Sequence, residues 1–158
     1  MDFNFYEVDY NYIEYLKEID DKVPDIKYGE NDKFFCGVVT EVNGFKYFAP
    51  ISSFTRKQKT NLMIYNSNQE TIASIRFCFM IPVDAKYLKI KSIEQVSTDH
   101  YKKLLSTELS FCRKNKTRIQ KAANRVYAYG TNPDHQQYNN CCDFKKLEEM
   151  AKKYNPSI

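Results

Sequence analysis

Lys33, Ser52 and Ser53 are a cation and two hydroxyls carried by one stretch, KFFCGVVTEVNGFKYFAPISS, and Arg56, Lys57 and Lys59 follow in the loop FTRKQKTN. Those types suit work on a phosphodiester. RNA carries its own nucleophile: the ribose 2′-hydroxyl can attack the neighbouring phosphorus in line and expel the 5′-oxygen, leaving a 2′,3′-cyclic phosphate. A protein must then orient the backbone, stabilise charge on the non-bridging oxygens and manage two protons. Lysines, hydroxyls and backbone amides suffice for the first two tasks. On composition alone the signal is weak, because Ser-Ser after a strand is most often a turn.

Other chemistries lack their residues. His100 and His135 stand alone, without HxH or HxxxH spacing, and His100 reads as a surface side chain in the first turn of a helix. The acidic pairs Asp20-Asp21 and Glu148-Glu149 are consecutive, so their members point in different directions. There is no nucleophile elbow, phosphate-binding loop or dinucleotide fingerprint. Five cysteines show no CxxC or Cys/His metal spacing and read as structural. The chain therefore favours chemistry without metal, nucleotide cofactor or covalent enzyme intermediate.

The elements that must position these groups follow from patterning. Phe3, Phe5 and Val8 predict a first strand, and Asp9 caps a helix buried through Tyr12, Ile13, Leu16 and Ile19. Pro24 bars its extension, and 25–32 reads as a loop. Asn43-Gly44 predicts a tight hairpin turn, since both central residues of a type I′ turn need positive φ. Val38, Val39 and Val42 precede it; Phe45, Tyr47 and Phe48 follow. Pro50 has no amide to donate, so pairing is expected to stop there. Strands are expected at 62–65, 71–77 and 79–83. Ser97 reads as the cap of a helix with an apolar stripe of Tyr101, Leu104, Leu105, Leu109 and Cys112. A second helix is expected over 116–129, ended by Gly130 in the left-handed conformation, and Asp143 caps a last one buried through Phe144, Leu147, Ala151 and Tyr154. Strands first and helices after predict one α+β domain over 1–158, with a twisted, mainly antiparallel sheet.

Charge is unevenly spread. Residues 1–32 hold ten acidic and three basic side chains, while 33–125 hold seventeen basic and six acidic. A basic face for a polyanion accounts for this, as does a plain solvated surface. Arg113, Lys114, Lys116, Arg118, Lys121 and Arg125 form a second cationic cluster, with Tyr127, Tyr129 and Tyr138 nearby. Single-stranded RNA is held by such cations on phosphate and by aromatic faces stacked on bases. The acidic N-terminus lacks the basic start and apolar core of a signal peptide, and no apolar run approaches the roughly 18–20 residues of a membrane span. The expectation is a reduced, cytoplasmic, soluble protein.

Four blocks in order along the chain resemble the ToxN/AbiQ family of toxic endoribonucleases from type III toxin–antitoxin and phage-abortive systems: YIEYLKEIDDKVP at 12–24, KFFCGVVTEVNGFKYFAPISS at 33–53, RFCFMIPV at 76–83 and CDFKKLEE at 142–149. The resemblance implies that Lys33, Ser52 and Ser53 form a cleavage site, with Tyr28 lining it. The family usually shows Ser-Pro-Lys after the hydroxyl pair, whereas this chain reads Ser53-Phe54-Thr55-Arg56-Lys57, leaving open which residue replaces that lysine. It further implies a barrel-like sheet similar to the Kid/MazF toxins, messenger RNA as substrate, and a small repeated RNA antitoxin with pseudoknot structure. The toxin cuts that RNA from its precursor and is blocked by it in a closed assembly. A non-catalytic RNA-binding module that regulates by occupancy is the alternative the residues leave open.

Overall fold

A computed structural model of the chain describes residues 2–28 and 31–156, with the side chains of 27, 28, 31 and 32 outside the description. Strand β1 (Asn4–Val8) leads into helix α1 (Tyr10–Ile19), whose cap Asp9 accepts from the Tyr12 amide at 3.1 Å. A small ladder, β2 (Lys27–Tyr28) with β3 (Asn31–Asp32), replaces the loop expected at 25–32. The hairpin is β4 (Phe35–Val42) and β5 (Phe45–Ser52), joined by Asn43 and Gly44 at φ +54° and +81°. Those values are the left-handed pair that a type I′ turn demands.

Strands β6 (Asn61–Tyr65), β7 (Thr71–Arg76), β8 (Ile81–Pro82) and β9 (Leu88–Ile90) complete the sheet. Its order is β6-β7-β5-β4-β1-β9, with β8 also on β5 and every pairing antiparallel. Its terminal strands β6 and β9 do not pair among the described residues, so the sheet is open rather than a closed barrel. Two local expectations also need correction. The 79–83 run is a 3₁₀ turn over Phe77–Phe79 followed by the short β8. Strand β9 was not anticipated: its three residues, LKI, are too few for a period to show.

Pairing does not stop at Pro50. The Ile51 amide donates to the Phe34 carbonyl at 3.2 Å on the β4 side, so an amide at residue 50 would point to the opposite edge. That edge serves β8 at Tyr47 and Phe48, then β7 at Ile51 and Ser52. Pro50 falls in the gap between the two partners, where no donor is needed. The strand therefore runs on to Ser52.

Four helices cover the sheet. α2 (Asp99–Lys114) is capped by Thr98 rather than Ser97; α3 (Lys116–Gly130) and α4 (Phe144–Lys153) follow. α2 packs on β6, α3 on β4 and the Phe77–Phe79 turn, and α4 on β8 and α1. Gly130 is the last residue of α3, not a left-handed cap. A Cβ there would sit 2.3 Å from the Phe144 ring, so the close approach of α3 and α4 is what requires glycine. The Tyr47, Tyr127 and Phe144 rings meet at this junction with centroids 5.5–5.8 Å apart. Glu148 Oε2 accepts from the hydroxyls of Tyr47 at 2.6 Å and Tyr127 at 2.7 Å, tying β5, α3 and α4 to one buried carboxylate. All five cysteines are free and buried, and among the described residues no helix is long and apolar enough to cross a membrane.

Candidate active site

The end of β5 opens into a cleft of about 590 Å³. Its sheet wall carries Lys33, Ser52, Ser53 and Arg76, and α2 supplies Tyr101, Leu104 and Glu108. Phe34, Ile51, Phe54 and Ile72 make the remaining lining apolar and aromatic. Lys33 stands just before β4, where its amide donates to the Ile26 carbonyl at 2.6 Å. Because β4 and β5 are antiparallel, the start of one lies beside the end of the other; this brings residues 33 and 52–53 together across nineteen positions of sequence.

The hydroxyl pair sits on a turn held from both sides. Ser52 pairs with Ser74 of β7, and its Oγ accepts from the Phe54 amide at 3.1 Å. The buried Ser74 hydroxyl donates to the Phe54 carbonyl. Ser52 is half-buried by this arrangement and Ser53 is exposed in the cleft. Lys33 is half-buried, and its ammonium pKa is lowered, first by burial and then by the Arg76 charge, with Asp25 opposing. It loses its proton more readily than a free lysine.

Arg76 is a cleft cation that the sequence does not single out. It ends β7, and its guanidinium lies between the Phe54 and Phe79 rings, 4.3 Å and 4.7 Å from their centroids. One nitrogen donates to Gln58 Oε1 at 3.2 Å, while the buried Nε has no partner among the described residues. An aromatic clamp of this kind fixes the orientation of a fork that matches phosphate oxygens. Arg56, Lys57 and Lys59 are exposed on the β5–β6 loop and do not line the cleft. The cation beside the hydroxyl pair comes from β7 instead. Tyr28 belongs to β2, and its side chain lies outside the described residues.

The second cationic cluster divides. Arg118, Lys121 and Arg125 are exposed on α3, and Arg118 donates to Asn115 Oδ1 at 3.1 Å. Arg113 is engaged by the N-terminal strand, donating to the Phe3 carbonyl and to Asn4 Oδ1, both at 2.9 Å. Lys114 is exposed at the end of α2, and the Lys116 ammonium lies 5.7 Å from the Phe3 ring centroid. Tyr127 is not a stacking platform: it is 9% exposed and its hydroxyl serves Glu148. Tyr129 and Tyr138 are half-buried; Tyr129 stacks on His135 at 4.0 Å, and His135 Nδ1 accepts from the Gln137 amide.

A family model described as toxin ToxN of type III toxin–antitoxin systems matches residues 4–152. The chain belongs to this family. It is 31% identical to the endoribonuclease ToxN of Bacillus thuringiensis subsp. kurstaki over 161 residues, covering 95% of this chain and 83% of that protein. It is 30% identical to the endoribonuclease ToxN of Pectobacterium atrosepticum, covering 95% and 92%. A solved type III toxin–antitoxin structure, reporting selective toxin inhibition by a non-coding RNA pseudoknot, superposes with a TM-score of 0.88 at 30% identity and covers 98% of both chains. The ToxN match spans both walls of the cleft, including Arg76, Tyr101 and Glu108 on elements outside the hairpin.

Proposed function

We propose that this chain is the endoribonuclease toxin of a type III pair and that it cuts RNA in the cleft at the end of β5 without metal or cofactor. The convergence of Lys33, Ser52, Ser53 and Arg76 from three separate strand ends supports this most directly. Phosphate enters between the hydroxyls and the two cations. Arg76, held by its aromatic clamp, takes the role of the lysine missing after Ser53 and stabilises charge on the non-bridging oxygens. Lys33, with its lowered pKa, lies where it can contact phosphate or accept the 2′-hydroxyl proton. In-line attack by the 2′-oxygen leaves a 2′,3′-cyclic phosphate and a 5′-hydroxyl.

The same site cuts messenger RNA and releases the antitoxin from its repeated precursor. The antitoxin, a small RNA with pseudoknot structure, then blocks the cleft in a closed assembly of alternating toxin and RNA. The exposed face of α3 with Arg118, Lys121 and Arg125, and the basic loop with Arg56, Lys57 and Lys59, are the surfaces we assign to it. The work is cytoplasmic and serves an abortive response to phage. The antiparallel sheet with helices packed on it supports reading the core as Kid/MazF-like.

Expression of the chain alone should arrest bacterial growth, and Ser53→Ala, Lys33→Ala and Arg76→Ala should each relieve the arrest at equal levels of soluble protein. A module that only occupies RNA would keep its effect in all three variants, and that result would remove the cleft assignment.

A further inference from the structure

α2 brings one carboxyl group into the cleft. Glu108 is 4% exposed, lines the same cavity as the hydroxyl pair but from α2, and its Oε2 has no hydrogen-bond partner among the described residues. A buried polar atom without a partner costs about 1–3 kcal/mol unless a ligand or water completes it. Tyr101 on its own helix interacts with it, Glu7 of β1 lies near Tyr101, and Lys33 and Arg76 line the same cavity. Oε2 makes a hydrogen bond with none of them.

The sheet wall supplies cations and hydroxyls but no acid suited to the leaving group. Arginine does not give up its proton, serine hydroxyls are too weak as acids, and Lys33 is better suited to taking a proton. An in-line displacement also separates its two proton transfers to opposite sides of phosphorus, so base and acid belong on opposite walls. We propose that Glu108 is the general acid of the cleft, protonating the 5′-oxygen as it leaves phosphorus. The proposal rests on the transesterification reading given above. The 2′-oxygen–phosphorus bond forms and the phosphorus–5′-oxygen bond breaks. The 2′-hydroxyl proton goes to the neutral amine of Lys33, the Glu108 proton goes to the 5′-oxygen, and water restores both groups. Burial raises the Glu108 pKa from the usual 4.5 to about 8, so the acid form is the one present at neutral pH.

The test uses single-turnover cleavage of a short RNA, and of the same RNA with sulfur in place of the leaving 5′-oxygen. A thiolate leaves without a proton. With wild-type protein the oxygen substrate should lose rate on the alkaline side of its pH profile, where the acid has been titrated, and the sulfur substrate should lack that fall. Glu108→Gln should slow the oxygen substrate about 100-fold or more at pH 7 and stay within about threefold of wild type on the sulfur substrate. Equal slowing on both substrates with the alkaline fall present in both would overturn the proposal, as would an unchanged rate in the variant. The wild-type comparison needs no variant, so a folding defect in Glu108→Gln cannot produce the expected result. Chemical analysis of wild-type product ends reports on the transesterification reading by itself, which keeps its failure distinct from that of Glu108.

Discussion

Glu148→Leu tests what holds the hydroxyl-bearing strand in place. The carboxylate takes two tyrosine hydroxyls on a single oxygen, one from β5 and one from α3, while itself riding on α4. Tyr47 is 0% exposed and Glu148 5%, so water cannot replace the lost acceptor. Leucine would fill the space and orphan both hydroxyls, at about 1–3 kcal/mol each, or roughly 2–6 kcal/mol together. For a chain of this size that lowers the melting temperature by roughly 5–20 °C. Tyr127→Phe removes one donor and leaves the other bond intact, so it should cost about 1–3 kcal/mol. The assay is urea unfolding at pH 7 in a Ser53→Ala background, which spares the host from the toxin. The two changes share a partner and should not add. A Glu148→Leu protein within about 0.5 kcal/mol of its parent would refute the reasoning, because surface-like changes alone fall in that range.

Glu108 makes stability depend on pH. Its folded pKa of about 8 exceeds the ordinary 4.5, so between those values the folded state keeps a proton that the unfolded chain has released, and stability falls as pH rises through that window. Glu108→Gln should flatten the decline by up to about 1.4 kcal/mol per pH unit between pH 5 and 8, read from urea midpoints; parallel slopes would contradict it. Replacing Arg118, Lys121 and Arg125 together should reduce the salt dependence of antitoxin RNA affinity by about two to three units in log–log slope. The triple variant should resist neutralisation while still cutting RNA; an unchanged slope would show that this face of α3 meets only solvent.

What was legible in the sequence was local. Asn43-Gly44 needs positive φ at two successive residues and so announces the turn, and Asp9 and Asp143 both cap helices by accepting from first-turn amides. Pairs placed by antiparallel registration, such as Lys33 with the serines, follow once the hairpin is granted. What was hidden depends on several partners at once. Pro50 looks like a stop until β5 is seen to change partners beside it, and Gly130 looks like a cap until the Phe144 ring is placed against it. Arg76 ends a strand as many surface arginines do; only the fold brings the Phe54 and Phe79 rings against its guanidinium. Glu108 did leave a trace. It falls three to four residues from Leu104, Leu105 and Cys112, on the apolar stripe of α2, where a carboxylate interrupts the pattern.

The central claim is that RNA supplies its own nucleophile in the cleft at the end of β5. The most direct measurement is cleavage of a short RNA with one 2′-deoxyribose at the cut position, beside the all-ribose control. The control should give 5′-hydroxyl and 2′,3′-cyclic phosphate ends with no metal added, and the substituted RNA should bind with similar affinity and stay whole. Cleavage of the substituted RNA at the same position, or control products with 5′-phosphate ends, would mean that an activated water attacks phosphorus and would contradict the account.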